Sequence, residues 1–178
     1  MAERVKREYV NLFFPRLKNL TKCSLECYTD AAFKNLQNGN SQGGLIIFLQ
    51  DLHGNRCPIF WRSKKLERVV KSSLAAETQA LAEGAEFCSY VADILKLLIK
   101  DIVVKIKCYT DCRSLVDSLS SLKKMEPCMK QETLVIRDML ERGVIEPVTW
   151  IPSKDQLADV LTKRGVCTRK IMETLSRD

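Results

Sequence analysis

Four acidic side chains occupy positions where a solvated surface carboxylate is not expected. Asp30 and Asp111 each end an apolar, strand-like segment with the same tripeptide, Tyr-Thr-Asp. Glu77 projects from the apolar stripe of a predicted long helix, where an ionised carboxylate is costly unless cations or hydrogen-bond donors compensate it. Asp159 lies between two leucines in the last predicted helix. If two strand ends and two helices converge, these four acids form one cluster.

Each of the four acids also has an ordinary structural explanation. A strand-end aspartate commonly caps a turn. A glutamate at the rim of an apolar stripe can reach solvent, and an aspartate on a solvated helix face needs no partner. A cluster of all four is different, because carboxylates brought together repel one another unless cations neutralise them. Ligands that are all oxygen atoms suit Mg²⁺ or Mn²⁺ rather than zinc, so a cluster would predict a site for one of those two ions.

Other catalytic groups are poorly represented. His53, the one histidine, lies in a predicted turn away from any nucleophile, which disfavours serine-type and cysteine-type triads. The eight cysteines form no Cys-X-X-Cys pair, so we expect reduced, mostly buried thiols. Cys108 and Cys112 are four residues apart and leave a zinc site open as a minor alternative. We therefore expect any chemistry to depend on carboxylates.

Hydrophobic patterning predicts the elements that must position the acids. Three strands come first and favour an antiparallel meander, at Leu25 to Ala31, Leu45 to Leu49 and Cys57 to Trp61, with Asn35 to Gly44 as a turn cluster. The later elements are a long helix, a strand, two helices, a short strand and a final helix, at Leu74 to Ile99, Val103 to Tyr109, Arg113 to Leu122, Gln131 to Arg142, Val148 to Ile151 and from Pro152 onward. Ser153 and Gln156 fit the spacing of a capping box for that final helix. This order predicts an α/β fold, a five-stranded mixed sheet flanked by helices.

Size and composition fit a single globular domain. The chain has 178 residues, of which 46% are hydrophobic and 29% are charged. We expect an N-terminal extension over residues 1–22, one domain over 23–165 and a charged C-terminal tail over 166–178. The first residues contain no apolar core of an export signal, and no window approaches the roughly 20 apolar residues of a membrane helix. We therefore expect neither secretion nor membrane insertion.

The excess of basic residues favours a polyanionic partner. Lys and Arg number 29 against 22 Asp and Glu, which gives a formal net charge of +7. The densest basic run precedes the helix of Glu77 and comprises Arg62, Lys64, Lys65, Arg68 and Lys71. Charge runs are usually solvated loops, but beside an acid cluster this one is predicted to contact phosphates with salt-dependent, sequence-independent affinity. A second basic patch is expected at Lys163, Arg164, Arg169 and Lys170.

Five stretches of the sequence match a known family in order. They are Tyr28-Thr29-Asp30-Ala31, Trp61-Arg62-Ser63-Lys64-Lys65, Ser72-Ser73-Leu74-Ala75-Ala76-Glu77, Tyr109-Thr110-Asp111 and Asp155 to Lys163. On these stretches the chain resembles the ribonuclease H domain at the end of the polyprotein of copia-type long-terminal-repeat retrotransposons. The resemblance implies a ribonuclease H-like fold. It also implies a four-carboxylate, two-metal active site, made of Asp30, Glu77, Asp111 and Asp159.

The resemblance further implies which metal ion each of the four acids binds. Two Mg²⁺ or Mn²⁺ ions, about 3.5–4 Å apart, would activate a water and stabilise the departing 3′-oxygen of a phosphodiester. Asp30 would bridge both ions. Asp111 and Glu77 would hold the ion on the leaving-group side, and Asp159 would support the ion that carries the attacking water. The histidine loop of the cellular enzymes has no counterpart in Trp150 to Asp155, so we expect slow turnover.

The functional prediction is a metal-dependent endonuclease that cuts the RNA strand of RNA/DNA hybrids during reverse transcription of a retroelement. Its expected partners are the hybrid and the reverse transcriptase portion of the element. Its expected location is the cytoplasm, in virus-like particles, or the nucleus. One alternative is a catalytically silent nucleic-acid-binding or assembly module, which retention of all four acids disfavours. Another is the same fold acting on DNA strands, which the stretch from Asp155 to Asp159 disfavours.

Overall fold

Five strands form one mixed sheet. The computed structural model describes residues 13–120, 129–163, 165 and 169–175. The strands, which we number in chain order, are β1 (Lys22–Ala32), β2 (Gln42–Asp51), β3 (Arg56–Lys65), β4 (Val103–Thr110) and β5 (Thr149–Trp150). Their order across the sheet is β3-β2-β1-β4-β5. The pairs β1–β2 and β2–β3 are antiparallel, whereas β1–β4 and β4–β5 are parallel. The predicted five-stranded mixed sheet is therefore confirmed.

Five α-helices accompany the sheet within the described residues. They are α1 (Ser73–Leu98), α2 (Arg113–Ser120), α3 (Lys130–Glu141), α4 (Asp159–Thr162) and α5 (Arg169–Leu175). Two short 3₁₀ turns lie at Gln37–Gly39 and Ser153–Asp155. None of the helices in these ranges combines the length and the apolar character needed to cross a bilayer.

The long helix α1 begins where its capping residue predicts. The Ser72 hydroxyl accepts a hydrogen bond from the Ala75 N–H at 3.1 Å, which satisfies one of the free donors of the first turn. Gly84 then allows the helix to lie close against β1. A Cβ at Gly84 would come within 2.7 Å of Thr29 Cγ2 and 2.8 Å of Cys27 Sγ. The close approach fixes the position of α1, and hence of Glu77, over the sheet.

Both faces of the sheet are covered. Alternate residues of a strand point to opposite faces, so Leu25 and Cys27 pack in the larger core that α1 closes. Tyr28, from the other face, packs with Phe48 and with the C-terminal part of the chain, including Ile171 of α5. The side chain of Asp30 lies on that second face by the same alternation, two residues after Tyr28.

The chain after β5 differs from the prediction. Instead of one helix from Pro152, it forms a 3₁₀ turn and then the four-residue helix α4. The predicted capping box is wrong, because Ser153 Oγ donates to Asp111 Oδ2 at 2.6 Å and Gln156 Nε2 donates to the Thr29 carbonyl at 2.9 Å. Both side chains bond to partners far away in sequence, and these tertiary contacts outweigh the local helical pattern.

The two ends of the described chain meet. The Phe13 N–H donates to the Leu175 carbonyl at 2.8 Å, and α5 lies within the segment expected to be a charged tail. Residues 1–12 of the expected N-terminal extension and the helix end expected near Leu122 lie outside the described residues. So do Arg164 and the side chains of Arg169 and Lys170 from the expected second basic patch.

Candidate active site

The repeated Tyr-Thr-Asp tripeptides lie side by side. β1 and β4 are parallel neighbours, and Tyr28 pairs with Tyr109 in their register. The two tyrosine rings stack with centroids 4.7 Å apart. Since parallel strands end at the same edge of a sheet, this register brings Asp30 and Asp111, two residues further on, to adjacent positions at that edge.

Asp159 completes a group of three acids. It is the first residue of α4, which packs against β1 and β2. One carboxylate oxygen from each of Asp30, Asp111 and Asp159 lies within 4.8 Å of the other two. Asp30 is 1% exposed and Asp159 is 8% exposed. Such close, poorly solvated carboxylates need compensating cations or donors.

Gly44 provides the space in which α4 is seated. It pairs with Asp30 in the sheet. A Cβ at this position would lie 2.8 Å from Thr162 Cγ2, 2.9 Å from Leu161 Cβ and 3.1 Å from the Ala158 carbonyl. A side chain here would push α4, and with it Asp159, away from the acid group.

Glu77 approaches the acid group from α1. It lies near the start of α1, and its Oε1 accepts a hydrogen bond from the Ala31 N–H at 3.3 Å. Burial, and secondarily the negative charge of Asp30, raise the pKa of Glu77 to about 9. Burial therefore disfavours the charged form of this carboxyl group. Its buried Oε2 has no hydrogen-bond partner within the described part of the chain.

Thr162 and Lys163 supply the donors that the buried aspartates require. The Thr162 hydroxyl donates to Asp30 Oδ2. Lys163 Nζ lies 2.6 Å from Asp159 Oδ1 and 3.2 Å from Asp30 Oδ1. Burial alone would lower the pKa of Lys163, but its hydrogen bond to Asp159 and the charges of both aspartates outweigh burial and raise it. For Asp159 the balance differs: burial raises its pKa although the bond from Lys163 opposes the shift.

Asp111 is held by the segment that follows β5. Ser153 Oγ donates to its Oδ2 at 2.6 Å, and the Trp150 indole N–H donates to its main-chain carbonyl at 3.0 Å. The Arg113 guanidinium lies 5.5 Å from the centroid of the Trp150 ring. Both atoms of Asp111 that accept these bonds are thereby fixed by residues about 40 positions further along the chain.

The sequence placed Lys163 in a basic surface patch, whereas the structure places its ammonium group among the acids. Its spacing of four residues from Asp159 was the available signal, since side chains at i and i+4 meet on a helix. The contacts of Thr162 and Ser153 with Asp30 and Asp111 had no such signal, because the partners are distant in sequence.

The residues present fit a hard divalent cation. The donors are carboxylate oxygens, and the buried Glu77 Oε2 is an additional acceptor without a partner in the described structure. Cys108 and Cys112 join no group of three or more ligand-bearing side chains among the residues that the structure describes. All six cysteines in these ranges are free thiols. The donor set therefore favours Mg²⁺ or Mn²⁺ over zinc.

The predicted basic run lies at the same edge of the sheet as the acids. Gly44 of β2 pairs with Asp30 of β1 on one side and with Ser63 of β3 on the other, so the run begins on β3, with β2 between it and Asp30. Three of its members are already in ion pairs, with N···O distances of 2.6–2.9 Å: Arg62 with Glu83, Lys64 with Glu67, and Arg68 with Glu132. Lys65 and Lys71 are exposed, and neither has an ion pair with a described residue.

Comparison with solved structures relates the fold to known proteins, whereas no protein-family model and no curated protein matches the sequence. RNase H1 from the halophilic archaeon Halobacterium salinarum is 19% identical, with a TM-score of 0.57 over 78% of this chain and 94% of that chain. LC11-RNase H1, isolated from compost by a metagenomic approach and solved in complex with an RNA/DNA hybrid, is 22% identical, with a TM-score of 0.55 over 78% and 93%.

A viral polyprotein gives a similar result. The foamy viral protease-reverse transcriptase in complex with an RNA/DNA hybrid is 14% identical, with a TM-score of 0.57 over 89% of this chain and 22% of that chain. At these identities the similarity concerns the fold. The strand order, the mixed pairing and these neighbours together establish that the chain has a ribonuclease H-like fold.

Proposed function

We propose that the protein is a metal-dependent endonuclease that hydrolyses the RNA strand of RNA/DNA hybrids. The observation that carries this proposal is the meeting of Asp30, Asp111 and Asp159 within 4.8 Å of one another, at the strand ends of a ribonuclease H-like sheet. Two of the similar structures are complexes with an RNA/DNA hybrid, which supports the hybrid as the substrate class.

Asp30, Glu77, Asp111 and Asp159 are the residues proposed to hold two Mg²⁺ or Mn²⁺ ions. Such ions, when bound, lower the pKa of a water nucleophile and neutralise charge that develops on the phosphate. β1 lies beside β4, which Asp111 directly follows, and Lys163 joins Asp30 to Asp159 of α4, so Asp30 is the acid that we propose both ions share. Glu77 would add its buried, unpartnered Oε2 from the side of α1.

The surrounding residues of the chain keep the acids in place. Thr162 fixes Oδ2 of Asp30 and Ser153 fixes Oδ2 of Asp111, whereas Oδ1 of Asp30 is in contact with the Lys163 ammonium group. Holding ligands in position before binding reduces the conformational entropy lost when the ions and the substrate arrive. The exposed Lys65 and Lys71 are proposed to contact backbone phosphates of the hybrid.

The biological setting that we propose is a copia-type retrotransposon, on the sequence resemblance described above. The match to a part of a viral protease-reverse transcriptase supports a link to a reverse transcriptase. In that setting the protein would degrade template RNA alongside the polymerase, in cytoplasmic virus-like particles or in the nucleus.

A catalytically silent binding module is the second candidate, and one observation favours it. Lys163 forms ion pairs with both Asp30 and Asp159, which offsets part of their negative charge. In such a module the acids would be a structural ion-pair cluster, and the protein would bind a hybrid without cutting it.

Cleavage of a labelled RNA/DNA hybrid in Mg²⁺ or Mn²⁺ distinguishes the two candidates. We expect cutting of the RNA strand alone, reduced by about 100-fold or more in Asp111→Asn, since even residues that only orient metal ligands contribute about 10- to 100-fold. Asp117→Asn, the same change at an exposed aspartate of α2, is the control. Hybrid binding without cleavage in either metal would favour the silent module, and cleavage of duplex DNA would contradict both candidates.

A further inference from the structure

We infer that Lys163 is a tethered cation that occupies the acid cluster in the metal-free protein and must leave Asp30 and Asp159 before a divalent ion binds them. This role makes Lys163 a positioning residue and a built-in competitor of the metal. The inference rests on the proposed function, because it assumes that the same acids hold the ions.

The contacts of Lys163 are those of a counter-ion. Its ammonium group lies 2.6 Å from Asp159 Oδ1 and 3.2 Å from Asp30 Oδ1, so it bridges acids from α4 and β1. Asp30 is 1% exposed, and no other cation within the described residues contacts it. An unpaired carboxylate at that depth is strongly destabilising, so the metal-free fold depends on Lys163 for much of its charge compensation.

The same contacts conflict with metal binding. An ion that takes an oxygen from both Asp30 and Asp159 needs the region that the ammonium group now fills. The ammonium group also holds Asp30 Oδ1 and Asp159 Oδ1 in hydrogen bonds, which must break before these oxygens can bind an ion. Binding of an ion between these two aspartates therefore requires the ammonium group to move.

The lysine, unlike the acids, is free to move. Lys163 directly follows α4, and its main-chain N–H donates to the Asp159 carbonyl at 2.9 Å, which anchors the backbone only. Its side chain is 39% exposed, whereas that of Asp30 is buried. A long, flexible stem at a helix end can turn its charged head into solvent. The ammonium group can thus withdraw without any change in the sheet.

The test compares Lys163→Met with the wild-type full chain. Removal of the competitor should tighten binding of the first Mn²⁺ or Mg²⁺, measured by titration calorimetry, by roughly 5- to 150-fold, the range typical of coupled binding. In EDTA the same variant should melt at a lower temperature, because Asp30 and Asp159 lose their counter-ion. Lys154→Met is the matched control: it removes an exposed charge that has no ion pair with a described residue. It should change neither quantity.

The outcomes separate the inference from the proposed function. If the wild type binds metal and Lys163→Met binds it equally or more weakly, the lysine does not compete and the inference is wrong. If neither protein binds metal stoichiometrically, the proposed function fails as well. A second measurement needs no variant: acetylation of Lys163, followed by mass spectrometry, should rise on addition of Mn²⁺ while that of Lys154 stays constant. Unchanged labelling of Lys163 in metal-saturated protein would also overturn the inference.

Discussion

The acids of the site differ in how the fold compensates them. Asp30 receives a hydroxyl and an ammonium group, Asp111 receives the Ser153 hydroxyl, and burial raises the pKa of Glu77, which disfavours its charged form. These arrangements lower the repulsion within the group in different ways. The metal-free protein can therefore hold all of them together, which a cluster of bare carboxylates could not.

Asp51 lies at the end of β2 that is far from the site, and it makes the stability of the fold decrease at acid pH. Its carboxylate accepts bonds from the main-chain N–H groups of Lys18, His53 and Asn55 and from the Asn55 side chain. Burial would raise the pKa of Asp51, but these bonds outweigh burial and lower it to about 2. Since the folded-state pKa is below the usual 3.8, the stabilisation is present above about pH 4 and is lost as the pH falls through about 2.

Asp51→Asn should therefore lower the melting temperature at pH 6. The difference from the wild type should shrink as the pH falls from about 4 to about 2, where Asp51 is protonated in both states. Thermal melts monitored by circular dichroism across this range are the measurement. The exposed Asp117→Asn should show little difference at any pH, and a constant deficit for Asp51→Asn would contradict the assigned pKa.

Sequence reasoning identified the unusual acids but not the groups that surround them. Glu77 was recognisable because a charged residue on an apolar helical stripe conflicts with its neighbours. Ser153 and Gln156 were misread as a local cap, since their partners Asp111 and Thr29 become neighbours only after the sheet forms. A pattern within a few residues carries no information on such contacts.

At the scale of elements, glycines decide how closely helices approach the sheet. The start of β2 was predicted as part of a turn, because it contains Gly43 and Gly44 and glycine is frequent in turns. In the structure both lie within β2, where Gly44 faces α4 and a Cβ would contact Thr162 at 2.8 Å. The strand boundary was missed because these glycines serve packing rather than chain reversal.

Gly84→Ala provides a test of this packing in α1. Alanine favours a helix over glycine by about 1 kcal/mol, yet the added Cβ would meet Thr29 and Cys27 at less than 3 Å. We expect the free energy of unfolding to fall by about 1–3 kcal/mol, as for other overpacked cores. Urea denaturation is the measurement. Glu86→Ala, on the exposed side of the same helix, should change stability by about 0.5 kcal/mol or less. A stabilised Gly84→Ala would show that α1 can move away from β1.

For the whole molecule, the net charge says less about nucleic-acid binding than the ion pairs that the basic residues already form. The chain has a formal charge of +7, but Arg62, Lys64 and Arg68 already form ion pairs with glutamates of the same chain. Basic residues already paired with carboxylates gain less from a phosphate than free ones, because a bond must break first. Lys65 and Lys71 are thus the stronger candidates for nucleic-acid contact within the predicted run.

The double variant Lys65→Ala/Lys71→Ala should weaken hybrid binding evenly across sequences. The slope of log K against log salt concentration should fall by about one to two, which corresponds to one or two lost phosphate contacts. Fluorescence anisotropy at several salt concentrations is the measurement. Lys96→Ala, near the other end of α1 and roughly 30 Å along the helix from Glu77, is the control. A loss half as large in Lys96→Ala, which removes one charge instead of two, would mean that only the overall charge matters.

The fold as a whole was predictable because its strands and its long helix have clear periodicity and boundaries. Ser72 marked the start of α1, and the element order agreed with a mixed sheet. The short helix α4 was not predictable. Gln156 and Leu157, which precede it, are buried by contacts with the sheet and not by a helical repeat.

The parallel pairing of β1 with β4 has a consequence for folding. Asp30 and Asp111 are about 80 residues apart in the chain, whereas β1, β2 and β3 follow one another through short turns. Contacts between distant segments carry the larger loop-closure cost and tend to form later. A chain synthesised only as far as α1 would contain Asp30 and Glu77 but no complete set of ligands. Divalent metal affinity should consequently appear late in refolding, once β4 has joined the sheet.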